Sequence, residues 1–276
     1  MAEPLTFDPQ SFKGMEHAGW EGGASAYSDF LGIVTSNAAA SLLDATRVGA
    51  GTRLLDVCCG PGYGAGAAAA RGATAVGVDF AKAMVEVASK KFPDATFQVG
   101  DAEALPFDDG GFNAVICAFG LRHLADPDKA IAEAHRVLIP GGRYAFTDWC
   151  GPDKVEFFSL VIGAIQKHGT LNVPLPPAPP LFRFGDPAAC AATLRAVGFA
   201  DPIVSEIPLV YCPPTGEQVL EFTEKAAPRM QMLLALQTSE ARERIRRAIV
   251  EGATRFQRSG RIEIAMPAVV ASAHKR

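Results

Sequence analysis

Three aspartates stand at positions where they could bind a nucleoside. Asp56, Asp79 and Asp101 each come at or just after the end of an apolar run, and a glycine-rich turn at residues 60–64 follows the first of them. Carboxylates at such positions accept hydrogen bonds from ribose hydroxyls or from an exocyclic amine of a base. Any one of these acids alone is better explained as a helix N-cap. The three together, behind a turn whose glycines let the backbone approach a ligand, favour a nucleoside ligand.

The elements that must position these acids alternate between strand and helix. Apolar runs predict strands at residues 52–57, 73–78, 95–99, 112–119 and 143–149, and helical periodicity lies between most of them. This order predicts an α/β fold, Rossmann-like and doubly wound, with a mainly parallel sheet. In such a sheet ligands bind at the carboxyl ends of the strands, where the three acids stand.

The segments before residue 52 and after residue 150 do not show this alternation of strand and helix. Residues 1–24 are polar and are predicted to be irregular, whereas residues 25–43 have helical periodicity that includes Tyr27. That helix could cap the glycine turn or only pack on the sheet. After residue 150 we predict helices at 155–166, 186–197, 217–236 and 240–256, and strands at 203–211 and 262–272, the last interrupted by Pro267. We expect a single domain over 1–276, with an N-terminal helical cap (1–50), a ligand-binding core (51–150) and a substrate cap with the last strands (151–276).

Composition excludes several other classes of protein. The net charge is −4 over 276 residues without a long Lys/Arg tract, which argues against nucleic acid as the main partner. The N-terminus lacks the apolar segment of a secretory signal, and no apolar run has the length of a membrane helix, so we expect a cytoplasmic protein with no membrane partner. The six cysteines have no zinc-site spacing, and no metal is expected.

Five segments together resemble one family. They are residues 54–62, 76–84, 100–107, 119–123 and 134–143, which read LLDVCCGPG, VGVDFAKAM, GDAEALPF, FGLRH and AHRVLIPGGR. Each is weak alone, but their combination resembles the class I S-adenosylmethionine-dependent methyltransferases. The nearest resemblance is to the small-molecule branch that includes the ubiquinone and menaquinone biosynthesis C-methyltransferases.

The resemblance implies a seven-stranded sheet with an antiparallel last strand, and S-adenosyl-L-methionine as the cofactor. The backbone of residues 58–62 should then hold the methionine end, and Asp79 the ribose. The residues expected to contact the cofactor are Tyr27, Cys58, Gly60, Gly62, Asp79, Phe80, Met84, Asp101, Ala102 and Cys117. Cys58 occupies the place of the family's first glycine, and a β-carbon there is tolerable only in an ordinary strand conformation.

Methyl transfer from a sulfonium is an in-line displacement that depends on orientation. A base is needed only when the acceptor is a protonated hydroxyl or a carbon acid. His123 and Asp148, which follow or end predicted strands, are the candidate bases, although either could be a structural hydrogen-bonding group. Arg122 could orient a polar group of the substrate or bind a local carboxylate.

We expect the acceptor to be a small, largely apolar molecule that enters under a flap at residues 172–184. The aromatic residues of that segment could equally pack only among themselves. The oligomeric state cannot be predicted from the sequence.

Two other functions fit parts of the pattern. Residues 60–65 satisfy G-x-G-x-x-A, which is found in NAD(P)-dependent oxidoreductases, although a lone match is weak. A non-catalytic protein that binds S-adenosylmethionine is the other alternative, because fold does not determine function.

Overall fold

A seven-stranded sheet forms the centre of the molecule. The computed structural model describes residues 7–29, 31–225 and 228–276. Its strands are β1 (Arg53–Val57), β2 (Thr74–Asp79), β3 (Thr96–Val99), β4 (Phe112–Ala118), β5 (Leu138–Trp149), β6 (Phe199–Ile207), β7 (Val210–Tyr211), β8 (Gln257–Arg258), β9 (Arg261–Ile262), β10 (Ile264–Ala265) and β11 (Ala268–Lys275).

The strand order in the main sheet is β3-β2-β1-β4-β5-β11-β6. The first five strands are mutually parallel, and β11 runs antiparallel to β5 and β6. The predicted fold class is therefore confirmed, including the antiparallel last strand. The chain winds outward from β1 in both directions, so the carboxyl ends of β1 and β4 border the crevice in which ligands of such sheets bind.

Helices cover both faces of the sheet and its carboxyl edge. They are α1 (Pro9–Asp29), α2 (Leu31–Thr35), α3 (Ala39–Ala45), α4 (Tyr63–Ala70), α5 (Lys82–Lys91), α6 (Pro127–Val137), α7 (Glu156–His168), α8 (Pro187–Val197), α9 (Gly216–Lys225), α10 (Pro228–Ala235) and α11 (Ser239–Ala253). Helix α11 packs against α7 and α9, and α1 contacts α5, α9 and α10. Because the sheet is covered on both sides, its central strands β1, β4 and β5 are mostly buried and apolar, with Asp56, Thr147 and Asp148 as buried polar exceptions.

The N-terminal segment differs from its prediction. Residues 9–24, expected to be irregular, belong to the 21-residue helix α1. Asp8 caps it, accepting hydrogen bonds from the N–H groups of Gln10 (3.1 Å) and Ser11 (3.3 Å), and Pro9 takes the first helical position. Burial of Phe12, Glu16 and Ala24 against the rest of the protein outweighs the low helix propensity of the four glycines in this helix.

Several predicted boundaries also move. The helix predicted at 25–43 is divided among the end of α1, α2, a single 3₁₀ turn and α3. Strand β6 begins at Phe199 rather than at 203, and residues 210–211 leave it to pair with β10 as a separate ladder. The helix predicted at 217–236 is described as two, α9 and α10. The predicted interruption at Pro267 is confirmed, since it separates β10 from β11.

Candidate active site

Asp79 connects the end of β2 to the glycine turn that follows β1. It is the last residue of β2 and is 6% exposed. Its Oδ2 accepts a hydrogen bond from the N–H of Gly60 at 2.8 Å, and its Oδ1 accepts one from the N–H of Ala81 at 2.9 Å. Burial raises the pKa of this carboxyl to about 6, although both hydrogen bonds oppose the shift. Asp79 thus shapes the turn and also lies on the surface of the cleft described below.

Asp56 lies beneath the same turn with one oxygen unpaired. Its Oδ2 accepts a hydrogen bond from the N–H of Ala65 at 2.8 Å, in the first turn of α4. Its Oδ1 is buried without a hydrogen-bond partner among the described residues. Burial raises the pKa of this carboxyl to about 7, and the charge of Asp79 raises it further. A buried, unpartnered acceptor is costly, so this oxygen is suited to a donor from outside the chain.

Cys58 does not have the ordinary strand conformation that its β-carbon was expected to require. Its φ is +55°, in the left-handed region, rather than in the strand region. A left-handed conformation costs a residue with a β-carbon roughly 1–2 kcal/mol. The neighbouring backbone holds it there: the N–H of Cys59 donates to Val78 O at 3.0 Å, and the N–H of Gly62 donates to Cys59 O at 2.9 Å. Gly120 makes room for its side chain, because a β-carbon on Gly120 would lie 2.5 Å from Cys58 Cβ.

A large cavity opens beside this turn and encloses about 810 Å³, including its mouth. Nine of the predicted site residues line it: Tyr27, Cys58, Gly60, Asp79, Phe80, Met84, Asp101, Ala102 and His123. Its other lining residues include Phe119 and Trp149, whose rings stack at 4.2 Å between centroids. The lining of the cavity is therefore partly acidic and partly aromatic.

A smaller cavity of about 360 Å³ adjoins the first. Tyr27, Cys58, Gly60 and Ala118 line both cavities, so the two meet at the turn after β1. The smaller cavity is also lined by Asp56, and thus holds the unpartnered carboxylate described above. The Tyr27 hydroxyl at the junction bonds to Thr35 Oγ1 at 3.0 Å, and burial raises the pKa of Tyr27 to about 12, so the phenol stays protonated.

Helix α1 covers the larger cavity. Lys13 Nζ forms ion pairs with Asp101 Oδ2 at 2.7 Å and with Glu103 Oε2 at 2.9 Å. Further along the helix, Glu21 Oε2 accepts a hydrogen bond from the N–H of Ala83 at 3.2 Å. Asp101, predicted to bind a ligand amine, is therefore paired with a lysine in this conformation. These contacts tie α1 to the strand ends and to α5.

His123 projects into the larger cavity from a 3₁₀ turn after β4. Its Nδ1 lies 3.0 Å from Oε2 of Glu16, a buried carboxylate on α1. The same Oε2 accepts a hydrogen bond from Trp20 Nε1 at 3.0 Å, and the Trp20 and His123 rings pack edge to face at 4.8 Å. Thus α1 supplies a carboxylate and an aromatic ring that contact His123.

Arg122 and Asp148 form a buried ion pair, with Nη1 and Oδ1 separated by 3.3 Å. Burial lowers the pKa of the guanidinium and raises that of the carboxyl, and each partner opposes the other's shift. Arg122 also lies over the rings of Phe158 and Phe182. Its alternative role, binding a local carboxylate, is the one seen here.

Three predicted site residues line neither cavity. Gly62 is the N-cap of α4 with φ +83°, and a β-carbon there would lie 2.7 Å from the ring of Phe97. Cys117 is fully buried in β4, and Asp148 is 1% exposed beside Arg122. The structure therefore brings together the acids, the turn and His123, and leaves these three as neighbours of the site.

The sequence reading missed the residues that α1 brings to the site, Lys13, Glu16 and Trp20. The available signal was Asp8-Pro9, the same pair that begins α6 at Asp126-Pro127 and α8 at Asp186-Pro187.

Within residues 7–29, 31–225 and 228–276, no helix is long and apolar enough to cross a membrane. The same residues hold no group of three or more His, Cys, Asp or Glu placed to bind a metal ion.

Comparison with known proteins supports the resemblance. Residues 55–146 match the family model described as a methyltransferase domain. A demethylmenaquinone methyltransferase of Renibacterium salmoninarum is 40% identical over 138 residues, which is 48% of this chain and 58% of the relative. The chain therefore spans about half the length of the curated relatives it matches.

Two solved structures agree in fold. The YcgJ protein of Bacillus subtilis has a TM-score of 0.56 at 23% identity, covering 87% of this chain and 98% of that one. A phosphoethanolamine N-methyltransferase 2 of Haemonchus contortus, solved with S-adenosylhomocysteine, has a TM-score of 0.51 at 20% identity, covering 87% of this chain and 53% of that one. At these identities the likeness concerns the fold alone.

Proposed function

We propose that the chain is an S-adenosylmethionine-dependent methyltransferase acting on a small, largely apolar molecule, and the match of residues 55–146 to the model of a methyltransferase domain supports this. The observation that carries this proposal is the pair of adjoining cavities, each with its own buried aspartate, that meet at Cys58 and Gly60. A cofactor with a nucleoside at one end and an amino acid at the other matches that division.

The residues present fit this cofactor. Asp79, Phe80, Met84 and Ala102 would hold the adenosine in the larger cavity. In the smaller cavity, the unpartnered Oδ1 of Asp56 would accept a hydrogen bond from the cofactor's ammonium group, directly or through water. When bound, the cofactor supplies an electrophilic methyl group. The junction at Tyr27, Cys58, Gly60 and Ala118 would then lie around the sulfonium.

The chain's own residues orient the two reactants and exclude water. Helix α1 closes the larger cavity, and the rings of Trp20, Phe119 and Trp149 give its wall the character that a flat apolar acceptor would need. His123 is the candidate proton acceptor, since it is the histidine that lines the cavity. Asp148 acts through its ion pair with Arg122 rather than on the acceptor, because it is buried outside the cavity lining.

The name of the Renibacterium relative, a demethylmenaquinone methyltransferase, supports a quinol-type ring as the acceptor. The predicted flap at 172–184 lies next to two arginines, the buried Arg122 and the half-buried Arg229. Arg122 donates to Leu181 O at 3.3 Å, and both terminal nitrogens of Arg229 on α10 lie 3.3 Å from Pro176 O. We propose that the acceptor enters past this loop.

The six free cysteines fit a reducing compartment such as the cytoplasm.

The test is transfer of a labelled methyl group from S-adenosylmethionine to a panel of reduced naphthoquinols, phenols, amines and carboxylic acids. We expect transfer to a ring hydroxyl or ring carbon of the first two classes. Transfer only to amines or acids would contradict the acceptor assignment. Cofactor binding without turnover on every acceptor would favour a non-catalytic binding protein.

A further inference from the structure

We infer that Glu16 is a positioning residue for His123: from helix α1, its carboxylate fixes the ring tautomer that leaves Nε2 able to accept a proton from the methyl acceptor. The inference rests on the proposed function, because it names how the proton acceptor of that reaction is prepared. It adds a residue that lies outside the matched methyltransferase domain.

The contact between the two side chains is close and enclosed. Glu16 Oε2 lies 3.0 Å from His123 Nδ1, and the side chain of Glu16 is 3% exposed, against 26% for that of His123. Trp20 donates its indole N–H to the same oxygen and packs against the imidazole. The carboxylate is therefore fixed from two sides, while the ring keeps one edge toward the cavity.

The chemistry of the pair determines the tautomer. An ionised carboxylate only accepts hydrogen bonds, so the neutral imidazole must carry its proton on Nδ1 to satisfy this contact. The lone pair is then on Nε2, which has no hydrogen-bond partner in the part of the chain that the structure describes. Without such a partner the choice of tautomer would be left to solvent.

Charges packed around the pair include two arginines and two acids. Burial lowers the pKa of Arg122 and of Arg229, and in each case the charge of Glu16 opposes the shift. His123 also interacts electrostatically with Asp79 and Asp148. The Glu16 carboxylate thus lies among positive groups, and the imidazole among negative ones.

The proton step follows from this arrangement. The bond between the acceptor atom and its proton breaks, an N–H bond forms at Nε2, and the electron pair remains with the acceptor as the nucleophile. The imidazolium keeps its Nδ1–H bond to Glu16, which becomes charge-assisted and therefore stronger. Acceptors that need this step carry an acidic proton, as phenols, enols and quinols do.

The position of Glu16 on α1 links this step to closure of the cavity. Lys13 and Glu21 attach the same helix to Asp101 and Ala83, but neither contacts His123. When α1 is closed, the Glu16–His123 pair is complete, and an opened α1 would leave His123 without its partner. Proton removal is thereby confined to the closed, water-excluded state.

The tautomer is measured by NMR on protein labelled with ¹⁵N at histidine, at about pH 8, where an imidazole is neutral. Spectra are recorded with and without S-adenosylhomocysteine, and the signals of His123 are assigned with the His123→Asn variant. We expect the Nδ1–H form of His123 to exceed the Nε2–H form by about tenfold or more in the wild type, given a hydrogen bond to a charged group.

Glu16→Ala should lose that preference, shifting the ratio by about tenfold or more. Glu16→Gln keeps the shape without the charge and should shift the ratio in the same direction. It replaces Glu16→Ala if the latter fails to fold. Glu21→Ala is the matched control, because it removes another hydrogen bond of α1 but none that His123 makes, and it should keep the wild-type ratio. An excess of Nε2–H in the wild type, or an equal shift in Glu21→Ala, overturns the inference.

The same wild-type sample is titrated with S-adenosylhomocysteine by calorimetry. Binding together with the wrong tautomer overturns the role of Glu16 and leaves the proposed function standing. Absence of binding together with the predicted tautomer overturns the proposed function instead.

Discussion

The backbone N–H of Gly60 donates a hydrogen bond to Asp79 Oδ2 at 2.8 Å, so the residue expected to hold a ribose also holds the turn after β1. Asp79→Ala removes both an acceptor for the ligand and the support of that turn. We expect it to weaken S-adenosylhomocysteine binding by roughly 10- to 100-fold, the effect of losing hydrogen bonds to a charged group.

Asp79→Asn should lose less affinity than Asp79→Ala, because one oxygen can still accept from Gly60 or from Ala81. Asp94→Asn, an exposed change before β3, is the control and should bind as the wild type does. All variants are compared by titration calorimetry, with circular dichroism to show that each is folded. Wild-type affinity in a folded Asp79→Ala protein would contradict the role of this residue.

Ligand affinity should depend on pH through the two buried aspartates. Burial raises the pKa of Asp56 to about 7 and that of Asp79 to about 6. A ligand ammonium and ligand hydroxyls favour the ionised carboxylates, so S-adenosylhomocysteine should bind more tightly as pH rises from about 5 to about 8, with proton release. Asp56→Asn should remove the part of this dependence near pH 7, as calorimetry in buffers of different ionisation enthalpy would reveal.

The same two groups should affect the stability of the ligand-free protein in the opposite sense. Their folded-state pKa values lie above the ordinary value of 3.8, so the folded chain holds more protons than the unfolded chain between about pH 4 and about pH 7. What the two carboxyls contribute to the free energy of unfolding is fully present below pH 4. It is lost as pH rises toward 7, at up to about 1.4 kcal/mol per pH unit for each group.

Urea unfolding of the wild type and of Asp56→Asn, at several pH values, isolates the contribution of Asp56 to the free energy of unfolding. As pH rises from about 4 to about 7, the wild type should lose stability relative to Asp56→Asn. A difference in stability that stays constant over this range would contradict the burial argument. The control is again Asp94→Asn, whose difference from the wild type should stay constant.

Gly60 and Gly62 form a matched pair of positive-φ glycines with different surroundings. A β-carbon on Gly60 would meet nothing within 4 Å, whereas one on Gly62 would lie 2.7 Å from Phe97 and 2.9 Å from Ala88 Cβ. Both Ala variants carry the cost of the left-handed conformation, about 1–2 kcal/mol. Gly62→Ala should lose a further 1–3 kcal/mol, roughly, through overpacking.

Gly60→Ala should instead act mainly on binding, because Gly60 lines both cavities and Gly62 lines neither. Thermal unfolding and S-adenosylhomocysteine titration of the two variants separate these effects. Equal loss of stability in both variants, with equal loss of binding, would contradict the assignment of Gly62 to packing.

Lys13 should control how long the ligand stays bound. It joins α1 to Asp101 and Glu103 at the edge of the larger cavity, and partly exposed ion pairs of this kind contribute up to about 1 kcal/mol each. Lys13→Gln should therefore speed dissociation of S-adenosylhomocysteine several-fold in stopped-flow measurements. Lys82→Gln, which removes the exposed Lys82–Glu86 pair on α5, should not. An unchanged dissociation rate in Lys13→Gln would contradict the lid role of α1.

The core of the fold could be predicted from the sequence because local pattern and burial agree there. The apolar run of β4, interrupted at Asn113, is mostly buried, and the Asp126-Pro127 pair begins α6 as predicted. The antiparallel pairing of β11 with β5 and β6 was available only from the resemblance, since no local signal in residues 268–275 selects its partners.

The parts that were missed depend on contacts between distant segments. Gly14, Gly19, Gly22 and Gly23 made residues 9–24 look irregular, and packing against α5, α9 and α10 stabilises α1 as a helix. The left-handed Cys58 likewise depends on Gly120, which is 62 residues away and leaves room for its side chain. As a result the acids at the strand ends were predictable from the sequence, whereas helix α1 over the cavity, with Lys13, Glu16 and Trp20, was not.

The most direct test of the account is titration of the wild-type chain with S-adenosylhomocysteine and, separately, with NAD⁺. The two adjoining cavities with their buried aspartates predict saturable binding of one S-adenosylhomocysteine per chain and no binding of NAD⁺. Binding of NAD⁺ without binding of S-adenosylhomocysteine would contradict the central claim.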